Sequence, residues 1–306
     1  MENPMIGIGC IVAVLVIALA LLWRYRPAGR ATEPMPGIAP TTPRWTGWRR
    51  FKVRKRVDED GVGRYCSFYL APENHKRLPA FEPGQYVQVR VEVPDPEHPG
   101  RMRDCIRPYY LSDSSNGRYY RICVQRLERS EGAEGPVSSY LLENLRKGAV
   151  VELQSPEGRC PFDLDATTPL VVIGMGAGIA PLLSVCNTLI DRKITRPVFI
   201  FYAMRTEDEL IFLPNFDYAA SHLKGATIQL CFSETMPAGT VDGAMTGDGV
   251  VYRKGGLGTA LLKKSFDLAE PIYYLCGPGE ALDHLASDLD ALGVSPEQIH
   301  RAGFSA

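Results

Sequence analysis

Closely spaced cysteine pairs are absent from this sequence. Its eight cysteines are scattered along 306 residues, and no two of them form a C-x-x-C pair. A structural zinc site and a plant-type iron–sulfur cluster both need closely spaced thiolates. The spacing therefore argues against either metal centre. The same scatter argues against a disulfide framework and fits a reducing compartment.

An excess of positive charge is also missing. Lys and Arg number 34 against 35 Asp and Glu, which gives a formal net charge of −1. A nucleic-acid-binding protein would normally carry a marked basic excess. The five histidines have no metal-ligand spacing, so neither metal nor Ser/His nucleophile chemistry is indicated. With 45% hydrophobic and 23% charged residues, the chain has globular composition and enough length for two domains.

Charged residues are absent from one stretch near the N-terminus. Residues 6–23 form a run of 18 uncharged, mainly apolar residues, about the minimum length for a membrane-spanning helix. Only Glu2 precedes the run, whereas Arg24, Arg26 and Arg30 follow it, which reverses the charge pattern of a signal peptide. We therefore predict a transmembrane anchor over residues 1–26, with the soluble domains in the cytoplasm. A cleaved signal and a buried helix are the competing interpretations.

Two domains are predicted after a linker at residues 27–47, which is rich in proline and is typical of an extended tether. Residues 48–166 show short strand patterns separated by turn residues, with one helix at 137–145, and this combination predicts a small antiparallel β-barrel. Residues 167–306 alternate apolar strands with helices, which predicts a doubly wound α/β domain. The predicted barrel strands are residues 51–57, 65–70, 86–93, 107–111, 119–125 and 150–153. The α/β elements are strands at 170–173, 198–202, 227–232 and 272–275 and helices at 181–189 and 280–289.

A glycine-rich turn links the first α/β strand to the first helix. Gly174, Gly176 and Gly178 follow a G-x-G-x-G spacing rather than the G-x-G-x-x-G of the dinucleotide fingerprint. Glycines at such a junction let the backbone approach a pyrophosphate, and the helix N-terminus supplies amide donors. A tight strand–helix turn without a ligand is the alternative interpretation.

A second turn of this kind, Cys276-Gly277-Pro278, follows another apolar strand and precedes a helix. The carboxyl ends of parallel strands line the ligand crevice of a doubly wound sheet, so a thiol here would contact the ligand. A lone cysteine is otherwise a small buried hydrophobe. The earlier glycine turn favours the functional interpretation.

The predicted barrel contains two candidate phosphate sites. On one strand, Arg107, Tyr109 and residue 111 should share one face, and Tyr110 and Ser112 the other, because side chains alternate along a strand. An arginine can hold a phosphate, and a tyrosine ring can cover an aromatic cofactor. The single helix opens at Val137, which offers a second anion site by its dipole.

Taken in order, these motifs resemble those of the ferredoxin–NADP reductase superfamily. The likeness is strongest to the reductase portion of flavohaemoglobins and to oxygenase reductase components, and it covers residues 48–304. No iron–sulfur or globin segment accompanies them. The motifs are P-G-Q-Y at 83–86, R-P-Y-Y-L-S at 107–112, G-P-V-S at 135–138, P-E-G at 156–158, G-M-G-A-G-I-A-P at 174–181 and C-G-P at 276–278.

The resemblance implies an FAD-binding barrel followed by an NAD(P)-binding domain, with FAD between the two. Hydride would pass from the nicotinamide to the flavin, which requires mainly the alignment of two rings. The implied FAD ligands are Arg107, Tyr109, Ser112, Val137 and Ser138. Those implied for the nicotinamide dinucleotide are Gly174, Gly176, Gly178, Arg205, Cys276, Gly277 and Pro278. Cys276, Tyr110 and the C-terminal aromatic Phe304 are expected beside the reacting atoms.

The sequence departs from the family pattern where polar groups usually surround the reacting atoms. Tyr110 stands where the family usually has Ser or Thr, Ala180 stands where the glycine loop usually has Thr, and Ala302 lies where an acidic residue usually precedes the last aromatic. The preferred dinucleotide is predicted from Glu234, which would repel a 2′-phosphate and so favours NADH. Arg205 is a possible cation for NADPH.

Two functions remain open from the sequence. The first is an NAD(P)H-oxidising FAD reductase that serves a separate acceptor protein, with a membrane-bound protein as a candidate. The second is a non-catalytic FAD-binding redox sensor or assembly subunit, in which the altered polar groups mark lost turnover.

Overall fold

The structure is a computed structural model that describes residues 44–95, 98, 100–126 and 137–304, with only the backbone of Phe304. The predicted anchor at residues 1–26 and most of the linker lie outside the described residues. Within the described ranges, no helix combines the length and hydropathy needed to cross a bilayer. Residues Thr41–Ala306 group as one compact unit.

The first part of this unit contains six strands and one helix. Its elements are β1 Arg49–Asp58, β2 Tyr65–Pro72, β3 Tyr86–Pro94, β4 Met102–Tyr110, β5 Tyr120–Gln125, helix α1 Val137–Asn144 and β6 Val150–Leu153. The strands form a curled antiparallel sheet in the order β4-β3-β6-β1-β2-β5. An isolated bridge between Leu111 and Ile122 brings the two edges of the sheet together just beyond β4. The predicted barrel is thus confirmed as a half-barrel.

Alternating side chains build the core of this half-barrel. On β3, Val87, Val89, Val91 and Val93 are buried while the residues between them are more exposed, as the two-residue period of a strand requires. Helix α1 closes one end by inserting apolar side chains spaced four residues apart, a separation that puts them on one helix face.

The second part alternates strands with helices. The elements are β7 Leu170–Met175, α2 Ile179–Asp191, β8 Val198–Met204, α3 Leu213–His222, β9 Ala226–Phe232, β10 Val250–Lys254, α4 Thr259–Ser265, β11 Ile272–Pro278, α5 Gly279–Asp290 and β12 Ile299–Phe304. The strands form a parallel sheet in the order β10-β9-β8-β7-β11-β12. The chain enters at β7, builds outward to β10 and then returns to β11 on the other side of β7. The crevice at the carboxyl ends of β7 and β11 is therefore a topological switch point, where doubly wound sheets bind ligands.

Every strand and helix predicted from residue 48 onward is present, but five features were not predicted. These are the first half of β4 and the whole of β10, β12, α3 and α4. The strands among them carry charged or mixed side chains, so their sequences lack a clear apolar alternation. α3 begins after Phe212, whose φ of 63° is unusual for a bulky residue. The sequence does not indicate the change of backbone direction that precedes this helix.

Candidate functional site

Three neighbouring strands bring the key α/β positions side by side. Gly174 on β7 is paired with Cys276 on β11, and Cys276 is paired with Ala302 on β12. All three residues lie near the carboxyl ends of parallel strands. The predicted dinucleotide turn and the predicted thiol therefore meet at the switch point of the sheet.

The glycine turn is shaped by close backbone packing. Gly176 to Gly178 form one 3-10 turn, and Gly176 has a φ of 51°, which favours glycine. A Cβ atom built on Gly178 would lie 2.0 Å from the carbonyl oxygen of Cys276, so no side chain fits there. Helix α2 starts directly afterwards, and no side chain caps its N-terminus. Because the first amide of α2, that of Ile179, is already bonded to carbonyl oxygens of the turn, an anion such as a pyrophosphate would contact the amides that open the turn.

Cys276 lies beneath this turn as a neutral thiol. Its side chain is fully buried, and burial raises the pKa of the thiol well above its ordinary value, an effect that the Tyr274 hydroxyl only partly offsets. The adjacent Gly277 is restricted as well, because a Cβ there would lie 3.0 Å from the Cβ of Met175. Pro278 then precedes the first turn of α5. The site presents a small, uncharged, polarisable group rather than a nucleophile.

Strand β4 separates its two tyrosines as the sequence predicts. Tyr109 packs against the half-barrel core, whereas Tyr110 packs against the core of the parallel sheet. Burial raises the pKa of Tyr110, and Cys276 and Tyr86 raise it further. Tyr110 packs against the same core cluster that contains Cys276. The rings of Tyr86 and Tyr110 are 6.0 Å apart, edge to face. Tyr110 therefore lies between the two sheets.

Arg107 and Ser112 lie in different surroundings on this segment. The Arg107 side chain is exposed, and its guanidinium donates to the carbonyl oxygen of Ile106 at 2.9 Å. Ser112 is fully buried. Its hydroxyl donates to the carbonyl oxygen of Arg121 at 3.1 Å and accepts from the Nε of Arg121 at 3.0 Å. Arg107 is thus available to a phosphate, whereas the Ser112 hydroxyl is bound inside the half-barrel.

At the start of α1, one polar atom has no hydrogen-bond partner within the described part of the chain. The Oγ of Ser138 is buried and accepts or donates no hydrogen bond among the described residues. Val137 is buried in the half-barrel core, so it can offer a ligand only its backbone. An unpaired buried hydroxyl at a helix N-terminus fits a phosphate oxygen as its missing partner.

The far end of the crevice carries a paired arginine. Arg205 follows β8, and its Nε donates to Glu209 Oε1 at 2.9 Å. The backbone amide of Glu234, just after β9, donates to the carbonyl oxygen of Arg205 at 2.9 Å. Arg205 and Glu234, the two residues predicted to decide the dinucleotide preference, are therefore adjacent. With Glu209, they place two carboxylate residues at this corner of the crevice. Phe304 is the last residue of β12 and is paired with Pro278. The structure describes its backbone but not its side chain.

Tyr274 belongs to this site although the sequence did not suggest it. Its side chain is buried, and burial together with Cys276 and Tyr110 raises the pKa of its phenol. A Cβ on Gly84 would lie 3.0 Å from the Tyr274 hydroxyl, so the phenol reaches the half-barrel. Its position two residues before Cys276 on one strand was an available signal, because such residues share a face.

Comparisons with known proteins support this arrangement. The family described as the oxidoreductase NAD-binding domain matches residues 172–285. A flavohaemoprotein of Bacillus thuringiensis subsp. konkukian is 30% identical over 260 residues, which cover 85% of this chain and 61% of the relative. The chain thus spans less than two thirds of that curated relative.

Solved structures share the fold. The flavohaem-like FAD/NAD-binding domain of nitric oxide dioxygenase from Vibrio cholerae O1 biovar El Tor is 29% identical, with a TM-score of 0.70, and the match covers 84% of this chain and 99% of that one. A cytochrome P450 reductase from Amycolatopsis is 24% identical, with a TM-score of 0.65 and coverage of 85% and 71%, and it supports the fold alone.

The fold and the site together define a ferredoxin reductase-like FAD/NAD-binding protein, a class of FAD-dependent NAD(P)H oxidoreductases. Within that class, the chain is homologous to the reductase portion of flavohaemoglobins.

Proposed function

We propose that this protein is a membrane-anchored flavoprotein reductase that moves a hydride from NADH to FAD and passes electrons to a separate acceptor. The observation that carries the reductase assignment is the meeting of two sites. Tyr110, on the strand that also bears Arg107 and Tyr109, packs against the core cluster that contains Cys276, at the switch point of the dinucleotide sheet. Two cofactor rings bound at these sites would therefore face each other.

The residues present fit FAD on the half-barrel. The exposed Arg107 would bind the pyrophosphate, Tyr109 would pack beside the ring system, and the Ser138 hydroxyl and the Val137 amide would complete the phosphate ligands. Bound FAD supplies a centre that accepts two electrons and releases them singly. The protein holds and orients this centre.

The positions where the family usually carries polar groups around the reacting atoms hold no charged side chain here. Cys276 is a neutral thiol, and the family's threonine and acidic residue are replaced by the buried Ala180 and Ala302. Of the hydroxyl groups on β4, that of Tyr110 is the nearest to the Cys276 thiol. Hydride transfer needs aligned rings and exclusion of water more than it needs a proton donor. Such a site therefore supports the reaction through positioning.

The carboxylates around Arg205 favour NADH as the donor. Glu209 already neutralises the guanidinium, and Glu234 adds a second negative charge nearby. A 2′-phosphate would meet this charge at short range, whereas the 2′-hydroxyl of NADH would not.

The anchor and the separate acceptor are supported by the sequence. The uncharged run at residues 6–23, followed by three arginines, favours a single span with the soluble part in the cytoplasm. Confinement at a bilayer would raise the effective concentration of a membrane-bound acceptor protein. The match covers only part of the flavohaemoprotein relative. In this proposal, a separate acceptor protein stands in place of the unmatched part of that relative.

The test combines localisation with turnover. Full-length protein should float with liposomes and resist carbonate extraction, whereas a variant that lacks residues 1–26 should not. Both forms should oxidise NADH with ferricyanide as the acceptor. Turnover without membrane association would remove the anchor from the proposal.

A non-catalytic FAD sensor or assembly subunit is the second candidate. The alanines at 180 and 302 and the tyrosine at 110 favour it, because they replace polar groups usual near the flavin. Stable yellow protein that oxidises neither dinucleotide would support this candidate.

A further inference from the structure

We propose that Asp113 is a positioning residue that fixes the dinucleotide-binding helix against the flavin-binding strand, an inference that rests on the proposed reductase function. Asp113 comes three residues after the end of β4, the strand that bears Arg107, Tyr109 and Tyr110. Its partners lie on α2, which starts directly after the glycine turn. One residue thus connects the segments that carry the two binding sites.

Helix α2 presents a polar face to Asp113. Asn187 Nδ2 donates to Asp113 Oδ1 at 2.8 Å, and Ser184 Oγ donates to the Asp113 carbonyl oxygen at 2.9 Å. On the same helix face, Asp191 accepts a hydrogen bond from the Ser114 hydroxyl. Residues 184, 187 and 191 are three, then four positions apart, the spacing that aligns side chains along one face of a helix.

The half-barrel holds the same carboxylate from the other side. Tyr119 donates its hydroxyl to Asp113 Oδ2 at 3.0 Å, and the Ser114 amide donates to Oδ1 at 2.9 Å. Buried Arg121 lies close by. Burial lowers the pKa of this guanidinium, but Asp113, Tyr69 and Glu59 together raise it above its ordinary value. Each carboxylate oxygen therefore has a partner, and the group is held from both parts of the fold.

The polar residues at this interface fix the orientation of α2 as well as holding it against the half-barrel. Ser184 and Asn187 are buried on a helix whose other side chains are mostly apolar. Buried polar groups cost free energy unless they are hydrogen-bonded. Apolar side chains would hold α2 equally well, but they would tolerate sliding, whereas hydrogen bonds fix distance and angle. The contacts therefore set where α2 lies along the half-barrel.

Small shifts of α2 would move the nicotinamide site directly, because the helix begins at the glycine turn beside Cys276. Displacement by about 1 Å can lower the rate of an aligned transfer about 100-fold. Other contacts between the two parts include an exposed ion pair of Arg192 with Glu82 at 3.4 Å. Surface pairs of this kind contribute little to geometry or stability. Glu82 thus provides a matched control for Asp113.

The test measures anaerobic flavin reduction by NADH in full-length protein by stopped flow. Asp113→Ala should lower the limiting rate at saturating NADH by about tenfold or more. It should also weaken the long-wavelength charge-transfer band between nicotinamide and flavin. The NADH dissociation constant and FAD content should stay within about twofold of wild type, because both binding sites remain intact.

Two further variants separate positioning from stability. Asp113→Asn keeps an oxygen for Asn187 and should retain the rate within about threefold, even if it melts at a lower temperature beside Arg121. Glu82→Gln should match wild type in every readout. If Asp113→Ala does not fold, Asn187→Ala provides the same comparison from the helix side.

A wild-type limiting rate and charge-transfer band in the folded alanine variant would overturn the positioning role, whatever its melting temperature. Wild-type protein that NADH fails to reduce would contradict the proposed function first, and with it this inference. The wild-type measurement therefore distinguishes the two failures.

Discussion

Gly178 and Cys276 approach each other so closely that a Cβ atom on the glycine would lie 2.0 Å from the carbonyl oxygen of the cysteine. The contact joins the start of α2 to the end of β11 at the switch point of the sheet. It places the turn that would bind a pyrophosphate directly beside the thiol that would lie near the nicotinamide. The dinucleotide half of the proposed reductase site depends on this proximity.

Gly178→Ala should therefore damage both the fold and dinucleotide binding. The backbone must shift to accept the methyl group, and we expect a loss of about 1–3 kcal/mol in the free energy of unfolding, measured by urea denaturation. NADH affinity should fall as well. Gly279→Ala is the matched control, because a Cβ there meets nothing within 4 Å. Equal stability and NADH affinity in both variants would contradict the packing argument.

Arg107 should bind FAD without supporting the fold. Because its side chain is exposed and bonded to a neighbouring carbonyl, Arg107→Ala should change the free energy of unfolding by less than about 0.5 kcal/mol. The FAD dissociation constant should rise by about tenfold or more, since a charge-assisted phosphate contact is lost. Flavin fluorescence titration measures the constant. Arg101→Ala, just before β4, should leave it unchanged, and an unchanged constant in Arg107→Ala would remove this residue from the site.

Dinucleotide preference should respond to the charge at Glu234. Glu234→Lys replaces an exposed carboxylate next to Arg205 with a cation, which would attract a 2′-phosphate. The ratio of kcat/KM for NADPH to that for NADH should rise by about tenfold, or about 1.4 kcal/mol. Glu270→Lys, in an exposed turn elsewhere, is the control. An unchanged ratio would place the adenosine end of the dinucleotide away from this corner.

Thiol reactivity should depend on pH in a defined direction. Burial raises the pKa of the Cys160 thiol to about 11, so at pH 8 only about 0.1% is thiolate. Iodoacetamide labelling of Cys160, followed by mass spectrometry, should quicken about tenfold per pH unit up to about pH 11. Cys276 should remain unlabelled until the protein unfolds in urea. Rapid labelling of native Cys276 at pH 8 would show a thiolate and contradict the neutral site.

Much of the fold was predictable because local patterns agreed with tertiary packing. The valines of β3 alternate in the sequence and are buried on one face of the sheet. The glycine turn correctly marked the junction of β7 with α2. By contrast, β12 has the mixed sequence I-H-R-A-G-F and exists because β11 pairs with it. Such non-local pairing leaves no local signal.

Site geometry was predictable only in part, for a similar reason. Alternation along β4 correctly put Tyr109 and Tyr110 on opposite faces. It could not show that Ser112 would be bound by Arg121, because that residue comes from β5. The contacts of Asp113 with α2 likewise join residues that are far apart in the sequence, so their meeting is set by the fold.

Anaerobic stopped-flow absorbance of the full-length FAD-loaded protein, mixed separately with NADH and NADPH, tests the central claim most directly. We predict that NADH bleaches the flavin within seconds and that NADPH does so more slowly. A bound flavin that neither dinucleotide reduces would contradict the reductase function and favour the sensor or assembly subunit.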